Sequence, residues 1–392
     1  FFRFLTLAMC AVAFAFVTGC EGPEGPKGDV GPKGDTGAQG EKGDKGDDGT
    51  PGGAGNVTCL ECHSAETPQS IKEQFHRSAH AAGAIAVDYA GGRSSCAQCH
   101  SHEGFLEWAR TGKVAEDITN PSAWQCKTCH NIHTTFESED YAFRAGDAVT
   151  LSSDGTTVVD EGNNNTCINC HQARRGYDNY DNATDDKTYT RKFTGDDYDV
   201  YLAHAAVGPN GSITENATMD TLTVVFDVPV ATNAYISSTH AGPHHGPQAN
   251  LFVGVTGAAV ADGTIFAAHA DGCVKCHMGP DSGHSFIPKE ANCTVTDCHS
   301  GSKEDALDAF EAKLVAVGMA LEAEGAVHFD EANYEATKMY YGSFHPMYAS
   351  LDRDVFQAWW NFQYLLEDRS KSAHNPTYAK ALLEQAEAAL GL

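Results

Sequence analysis

Residues 126–133 read Cys126-Lys127-Thr128-Cys129-His130-Asn131-Ile132-His133. Two cysteines separated by two residues, with a histidine directly after the second, form the spacing that attaches a c-type haem covalently. The spacing has a mechanical reason. Thioether bonds from one short turn pin two edges of a porphyrin and aim the adjacent imidazole at the iron. The pattern recurs at Cys59/Cys62/His63, Cys96/Cys99/His100, Cys167/Cys170/His171 and Cys273/Cys276/His277. A wider version, with four intervening residues, stands at Cys293/Cys298/His299. Twelve of the 14 cysteines fall into these six sets without remainder, which implies six haem c groups and no disulfide. Zinc sites use CxxC too, but they draw four ligands from two separated pairs and place no histidine beside every second cysteine. A thioredoxin-type redox motif would occur once, not six times.

The remaining two cysteines lie at the N-terminus. Residues 1–19 are short and apolar with an early positive charge at Arg3, the design of a secretory signal rather than of the roughly 20-residue span a bilayer needs. The stretch ends in Val17-Thr18-Gly19-Cys20, which resembles the lipobox of bacterial lipoproteins. That resemblance implies that Cys10 is discarded and Cys20 lipidated. Residues 20–56 then carry glycine at every third position from Gly22 to Gly55, twelve in register. A strict Gly-X-Y period is the collagen signature, because only glycine fits at the axis of three wound chains. Two readings stand: a triple-helical stalk that makes a homotrimer, or a flexible, charged linker.

The haem motifs form a group of four in residues 57–176 and a group of two in 266–300, separated by an insertion at 177–265. The insertion reads as β-containing and not helical: Thr221 to Val228 is rich in β-branched residues. Just before it, Ala148–Leu151 and Thr156–Val159 flank an Asp154-Gly155 turn. The acidic run Asp178 to Asp186 lacks the spacing of a calcium loop and reads as solvated. Residues 301–392 are helical. Leu307, Phe310, Leu314, Val317 and Leu321 recur at steps of three and four behind a Ser302 cap, and Asn375-Pro376 opens a last helix. The fold class expected is a mostly α and irregular multihaem cytochrome c fold with low secondary-structure content and a C-terminal helical region.

Six of the 19 histidines are proximal ligands, which leaves 13 for the opposite faces against five methionines outside the signal segment. Bis-histidine ligation follows as the default. Thioether ligation would raise the potential, and Met278, directly after His277, has no reach to the far side of the same iron.

At the level of motifs the chain resembles multihaem c-type cytochromes of bacteria that respire extracellular acceptors, and more loosely the group that includes cytochrome c nitrite reductases. The matching pieces are the SAHAAG stretch around His80, CKTCHNIH ending at His133, the CINCHQAR run, HHGPQANLFVG at His244 and His245, AAHADGCVKCHM with His269, GHSF at His284 and HNPTYAKALL at His374. The resemblance implies distal ligands at His80, His133, His245 (or His244), His269, His284 and His374. His374 also has an argument of its own: it precedes a helix N-terminus, where the dipole disfavours protonation, and a metal ligand must be neutral. His76, His102, His204, His240, His328 and His345 read as non-ligands, with His76 the substitute for His80.

Three functions are open to such a chain. Six saturated haems make an electron carrier whose protein sets potentials by ligation, burial and hydrogen bonding. A reductase of a nitrogen or sulfur oxyanion needs one haem with an open face; the related nitrite reductases mark it with a proximal lysine, and no CxxCK occurs here. A trimeric or filamentous surface protein is the third. The 26 Lys and Arg against 53 Asp and Glu, a net charge of −27, repel nucleic acid. The partners expected are other redox proteins, metal oxides or electrodes. Glu21 after the lipidated cysteine favours the outer membrane, and the cell surface over the periplasm.

Overall fold

Residues 62–63, 70–83, 86–181, 183–205, 212–213, 221–244, 246–269, 272–279, 282–289, 291–292 and 303–392 are described in a computed structural model. The signal segment 1–19, Cys20, the Gly-X-Y segment, Cys59, His245, Cys293, Cys298, His299 and Ser302 lie outside the described residues.

The N-terminal part is built of short helices joined by irregular chain: α1 (Ile71–His76), α2 (Ser94–His100), α3 (His102–Thr111), α4 (Cys126–Cys129) and α5 (Asn165–Ile168). Helical backbone puts residues three apart on one face, so both sulfurs of a CxxC turn look the same way. Ser101 ends α2 and caps α3 through its hydroxyl, which accepts from Gly104 N at 3.2 Å. Strands β1 (Val149–Thr150) and β2 (Val158–Val159) pair antiparallel around the Asp154-Gly155 turn, as their sequence suggests.

Residues 177–265 contain helix as well as strand, against expectation. Strand β3 (Lys187–Phe193) pairs antiparallel with β5 (Leu222–Val228), which also carries β4 (Ser212–Ile213). Helix α6 (Asp196–Ala205) lays Tyr201 on Phe193, with ring centroids 3.6 Å apart. Its polar and aromatic residues alternate too irregularly to show a helical period. Helix α7 (Gln248–Val253) buries Ala249, Asn250, Leu251 and Phe252 in succession, so no polar stripe betrays it. The acidic run is also less solvated than its charge suggests: Asp181 pairs with Arg353 and accepts from Tyr177 Oη at 2.7 Å, and Asp186 accepts from Val230 N at 2.8 Å.

Helix α8 (Gly272–His277) carries the fifth motif. The C-terminal layer follows as α9 (Glu304–Ala323), α10 (Arg353–Asp368) and α11 (Pro376–Leu390), with β7 (Val327–Phe329) paired to β8 (Phe344–Pro346). Lys303, not Ser302, is the N-cap position of α9, while Asn375 caps α11 through its side chain as expected. The largest apolar core lies here, centred on Phe356, Trp359, Trp360 and Phe362 of α10 with Val317 and Leu321 of α9 and Leu382 of α11. Strand β9 (Ala349–Asp352) pairs with β6 (Asn233–Ile236), and α10 grips residues 255–258. Trp360 Nε1 donates to Thr256 O at 2.8 Å, Tyr364 Oη to Val255 O at 2.8 Å, and Asn361 exchanges two bonds with Ala258. The insertion and the helical layer are therefore stitched into one core.

Candidate metal centres: paired histidines

Cys62/His63, Cys96/Cys99/His100, Cys126/Cys129/His130 and Cys167/Cys170/His171 all line one cavity of about 1440 Å³. An ordinary single-ligand pocket spans roughly 300–1,000 Å³. The motifs are tied to one another. Arg144 receives three tasks: its N–H donates to Cys129 O at 2.5 Å, its guanidinium to Lys127 O and His130 O, and its carbonyl accepts from Thr166 Oγ1 at 2.6 Å. Cys99 Sγ lies 3.7 Å from Asn169 O and Cys170 Sγ 3.9 Å from Gln98 O. The motif at 167–171 thus touches that at 96–100.

The fifth motif, Cys273, Cys276 and His277 on α8, is not on the lining of that cavity and is anchored by two side-chain amides. Val274 N donates to Asn164 Oδ1 at 3.0 Å, and the half-buried Cys276 offers its carbonyl to Asn292 Nδ2 at 2.8 Å.

Each of the five described motif histidines faces a second histidine. Ring centroids lie 6.2 Å apart for His63 and His133, 6.2 Å for His100 and His244, 6.2 Å for His130 and His284, 5.9 Å for His171 and His80, and 6.3 Å for His277 and His374. Two imidazoles each bound to one metal at roughly 2 Å hold their ring centroids roughly 6 Å apart, since the nitrogen of each ring lies about 1 Å from its centre. The residues present fit an iron between each pair, and the adjacent cysteine turns fit a porphyrin around it. Among the described residues no three His, Cys, Asp or Glu groups converge as the ligands of a bare ion would.

Loops set the second histidine of several pairs. His133 has φ 58° and His244 φ 79°, and Phe286, two residues past His284, has φ 59°. Left-handed backbone is uncommon outside glycine, and such outliers gather where surrounding structure holds a functional side chain. At His133 the holder is Asp140, whose carboxylate accepts from the N–H groups of Thr134, Thr135 and Phe136 at 3.1, 2.8 and 3.0 Å. At His284 it is Gln74 on α1, whose Oε1 accepts from His284 N at 2.9 Å. His80 is boxed by Trp124 and Phe286, at 5.6 and 4.8 Å.

Outer groups orient the imidazoles, a recurring requirement for metal-binding histidine. The Nδ1 of His130 bonds Tyr141 O at 2.9 Å and that of His277 bonds Phe286 O at 2.9 Å. His171 Nδ1 lies 3.4 Å from Gln248 Oε1, and Gln248 Nε2 donates on to Asp368 O at 3.3 Å. His374 Nδ1 instead meets a carboxylate, Asp368 Oδ1, at 2.6 Å. Asp368 is 2 % exposed.

Burial keeps most of these rings neutral, the state a metal needs. His80, His100, His130, His277 and His284 are all lowered, burial being the main cause in each. His171 is pushed down to about 4 by burial and then by the charge of His80. At His374 burial pulls the same way, but the Asp368 carboxylate outweighs it and the pKa rises.

Of the expected distal set, His80, His133, His284 and His374 each stand opposite a motif histidine. At the third position the residue facing His100 is His244, the alternative to His245. His269 packs against Phe266, centroids 5.1 Å apart; the sixth motif histidine, His299, lies outside the described residues. His76 lines the cavity but is exposed and packs on Phe75. His102 is buried against Thr128 Oγ1 at 2.7 Å, and His328 lies 3.6 Å from Glu322. Asp140, Arg144, Gln248 and Asp368 escaped sequence reading, because none sits at a fixed offset from a motif.

No family model and no curated protein matches the chain. Among solved structures, the outer cell wall cytochrome OcwA matches with TM-score 0.43 and 16% identity over 82% of this chain. The chain spans half, 50%, of that protein's length.

Proposed function

We propose that the protein is a multihaem c-type cytochrome that carries electrons along six covalently bound, mostly bis-histidine haems. The observation that carries the reading is the set of five histidine pairs at 5.9–6.3 Å, each including the histidine of a CxxCH motif. A haem saturated on both faces leaves its iron no site for a substrate, so its chemistry is electron movement at a potential set by ligands and burial. This chain's residues hold and orient the imidazoles, exclude water through Trp124, Phe286 and Phe143, and bring neighbouring motifs together through Arg144, which bonds Cys129 O and Thr166.

The setting proposed is respiratory transfer at the outer membrane or cell surface, with Cys20 as lipid anchor and residues 20–56 as spacer or trimer stalk. A redox protein, a metal oxide or an electrode would be the partner. The exported, covalently haem-loaded protein is tested by the spectrum of its oxidised form. Low-spin iron throughout supports the carrier. A stoichiometric high-spin site that binds nitrite would favour the reductase, with the haem of Cys293 and Cys298 as the open one.

A further inference from the structure

We propose that Asp368, acting through His374, sets the lowest reduction potential among the haems held by the described pairs, and so places the low-potential end of the row at the motif of Cys273 and Cys276. The inference rests on the haem reading above. Asp368 is a positioning residue: it touches the ligand, not the metal.

The geometry separates this pair from its neighbours. The outer partners of His130 and His277 are peptide carbonyls, and that of His171 is the amide of Gln248; all are neutral. His374 alone of these four leans on a carboxylate, at 2.6 Å. The contact is built, not incidental. Asp368 is 2 % exposed at the C-terminal end of α10, and Ser370 fixes its second oxygen through both its N–H, at 3.1 Å, and its hydroxyl. Ser370 Oγ in turn accepts from His374 N at 3.2 Å, closing a small ring of bonds around the histidine. A carboxylate on the far nitrogen of a metal-bound imidazole draws the shared proton toward itself and leaves the ring more anionic, which raises ligand basicity. An anionic ligand favours ferric over ferrous iron, so the potential falls. Burial keeps water from screening the effect.

The test is a potentiometric titration of the haem-loaded protein followed optically and by EPR, for wild type, Asp368→Asn and Ser370→Ala. Asp368→Asn retains the shape but removes the charge. One midpoint, the lowest, is expected to rise by about 59 mV, the one-electron equivalent of a roughly tenfold loss of preference for the ferric state. Ser370→Ala withdraws a hydroxyl donor from the carboxylate, concentrating its charge on His374, and is expected to move the same midpoint down. A residue that serves only to hold the fold would not produce opposite shifts at one haem. Unchanged midpoints in both variants, with full haem content and low-spin iron, overturn the inference and leave the carrier reading intact. Should Asp368→Asn fail to take up its haems, the sign of the Ser370→Ala shift decides alone. Loss of covalent haem or of low-spin iron in wild type would instead strike the reading on which the inference rests.

Discussion

His80 and His171 stand at 88° to one another with ring centroids 5.9 Å apart, whereas His63 and His133 lie within 15° of parallel at 6.2 Å. The mutual angle of two axial imidazoles controls how far the iron π orbitals split. Crossed rings leave them nearly degenerate and parallel rings separate them. The His100–His244 pair is also crossed, at 72°, while His277–His374 at 32° and His130–His284 at 42° tend toward parallel. The oxidised protein is therefore expected to show two classes of low-spin EPR signal. Two haems should give a large principal g value and three a rhombic spectrum. A single uniform class would contradict the ring geometry.

His80→Ala and His76→Ala form a matched pair of tests. Only His80 faces a motif histidine; His76, four residues earlier, packs on Phe75. The first change is expected to convert one haem to a high-spin, ligand-accepting form, and the second to leave the spectrum of the oxidised protein as in wild type.

Acid should reach the His133 loop through Asp140. Burial pushes its carboxyl up, but four bonds from Thr134, Thr135 and Phe136 together outweigh it and hold the pKa at about 2, against the roughly 3.9 of an unperturbed aspartate. A depressed carboxylate stabilises the fold fully above its unfolded pKa, and that contribution is lost as pH falls through the folded one. The low-spin signal of the His63–His133 pair is thus expected to fail between about pH 4 and about pH 2. In Asp140→Asn it should already be weakened at neutral pH. Magnetic or optical titration checks both.

Gly318 on α9 sits where a methyl group would come within 2.7 Å of Phe362 Cζ and 2.8 Å of Phe344 Cζ. Gly318→Ala overpacks a buried contact between α9 and α10 and is expected to cost about 1–3 kcal/mol, despite alanine's better helix propensity. Denaturant unfolding measures it.

The parts of this molecule that read directly from sequence are those with short, fixed offsets. CxxCH motifs, the Asn375-Pro376 helix start and the β-branched strand ending at Val228 are all local patterns. What escaped reading is non-local or lacks contrast. Helix α7 buries Ala249 to Phe252 in succession, so no polar stripe marks it. The pairing of His100 with His244, far apart in the chain, depends on α7 docking under the motif at 167–171 through Ala249 N to His171 O, 2.9 Å. Asp368 and Gln248 act through another side chain, and no spacing rule points to either.

The uneven distribution of apolar burial has a consequence for biogenesis. The extended apolar core belongs to the C-terminal layer, with smaller clusters at the insertion sheet and at Val149–Ala249; among the described residues none before Val149 belongs to any of the three. On the reading proposed above, the chain that emerges first from an export channel would have little to collapse around until its haems are attached, while the last hundred residues could fold on their own side chains. Attachment would then precede folding in the leading segment, and the cysteine turns would meet the attachment machinery while still extended and accessible. In that order the prosthetic groups act as the missing interior of the leading segment, and its maturation is limited by their supply rather than by the chain's own collapse.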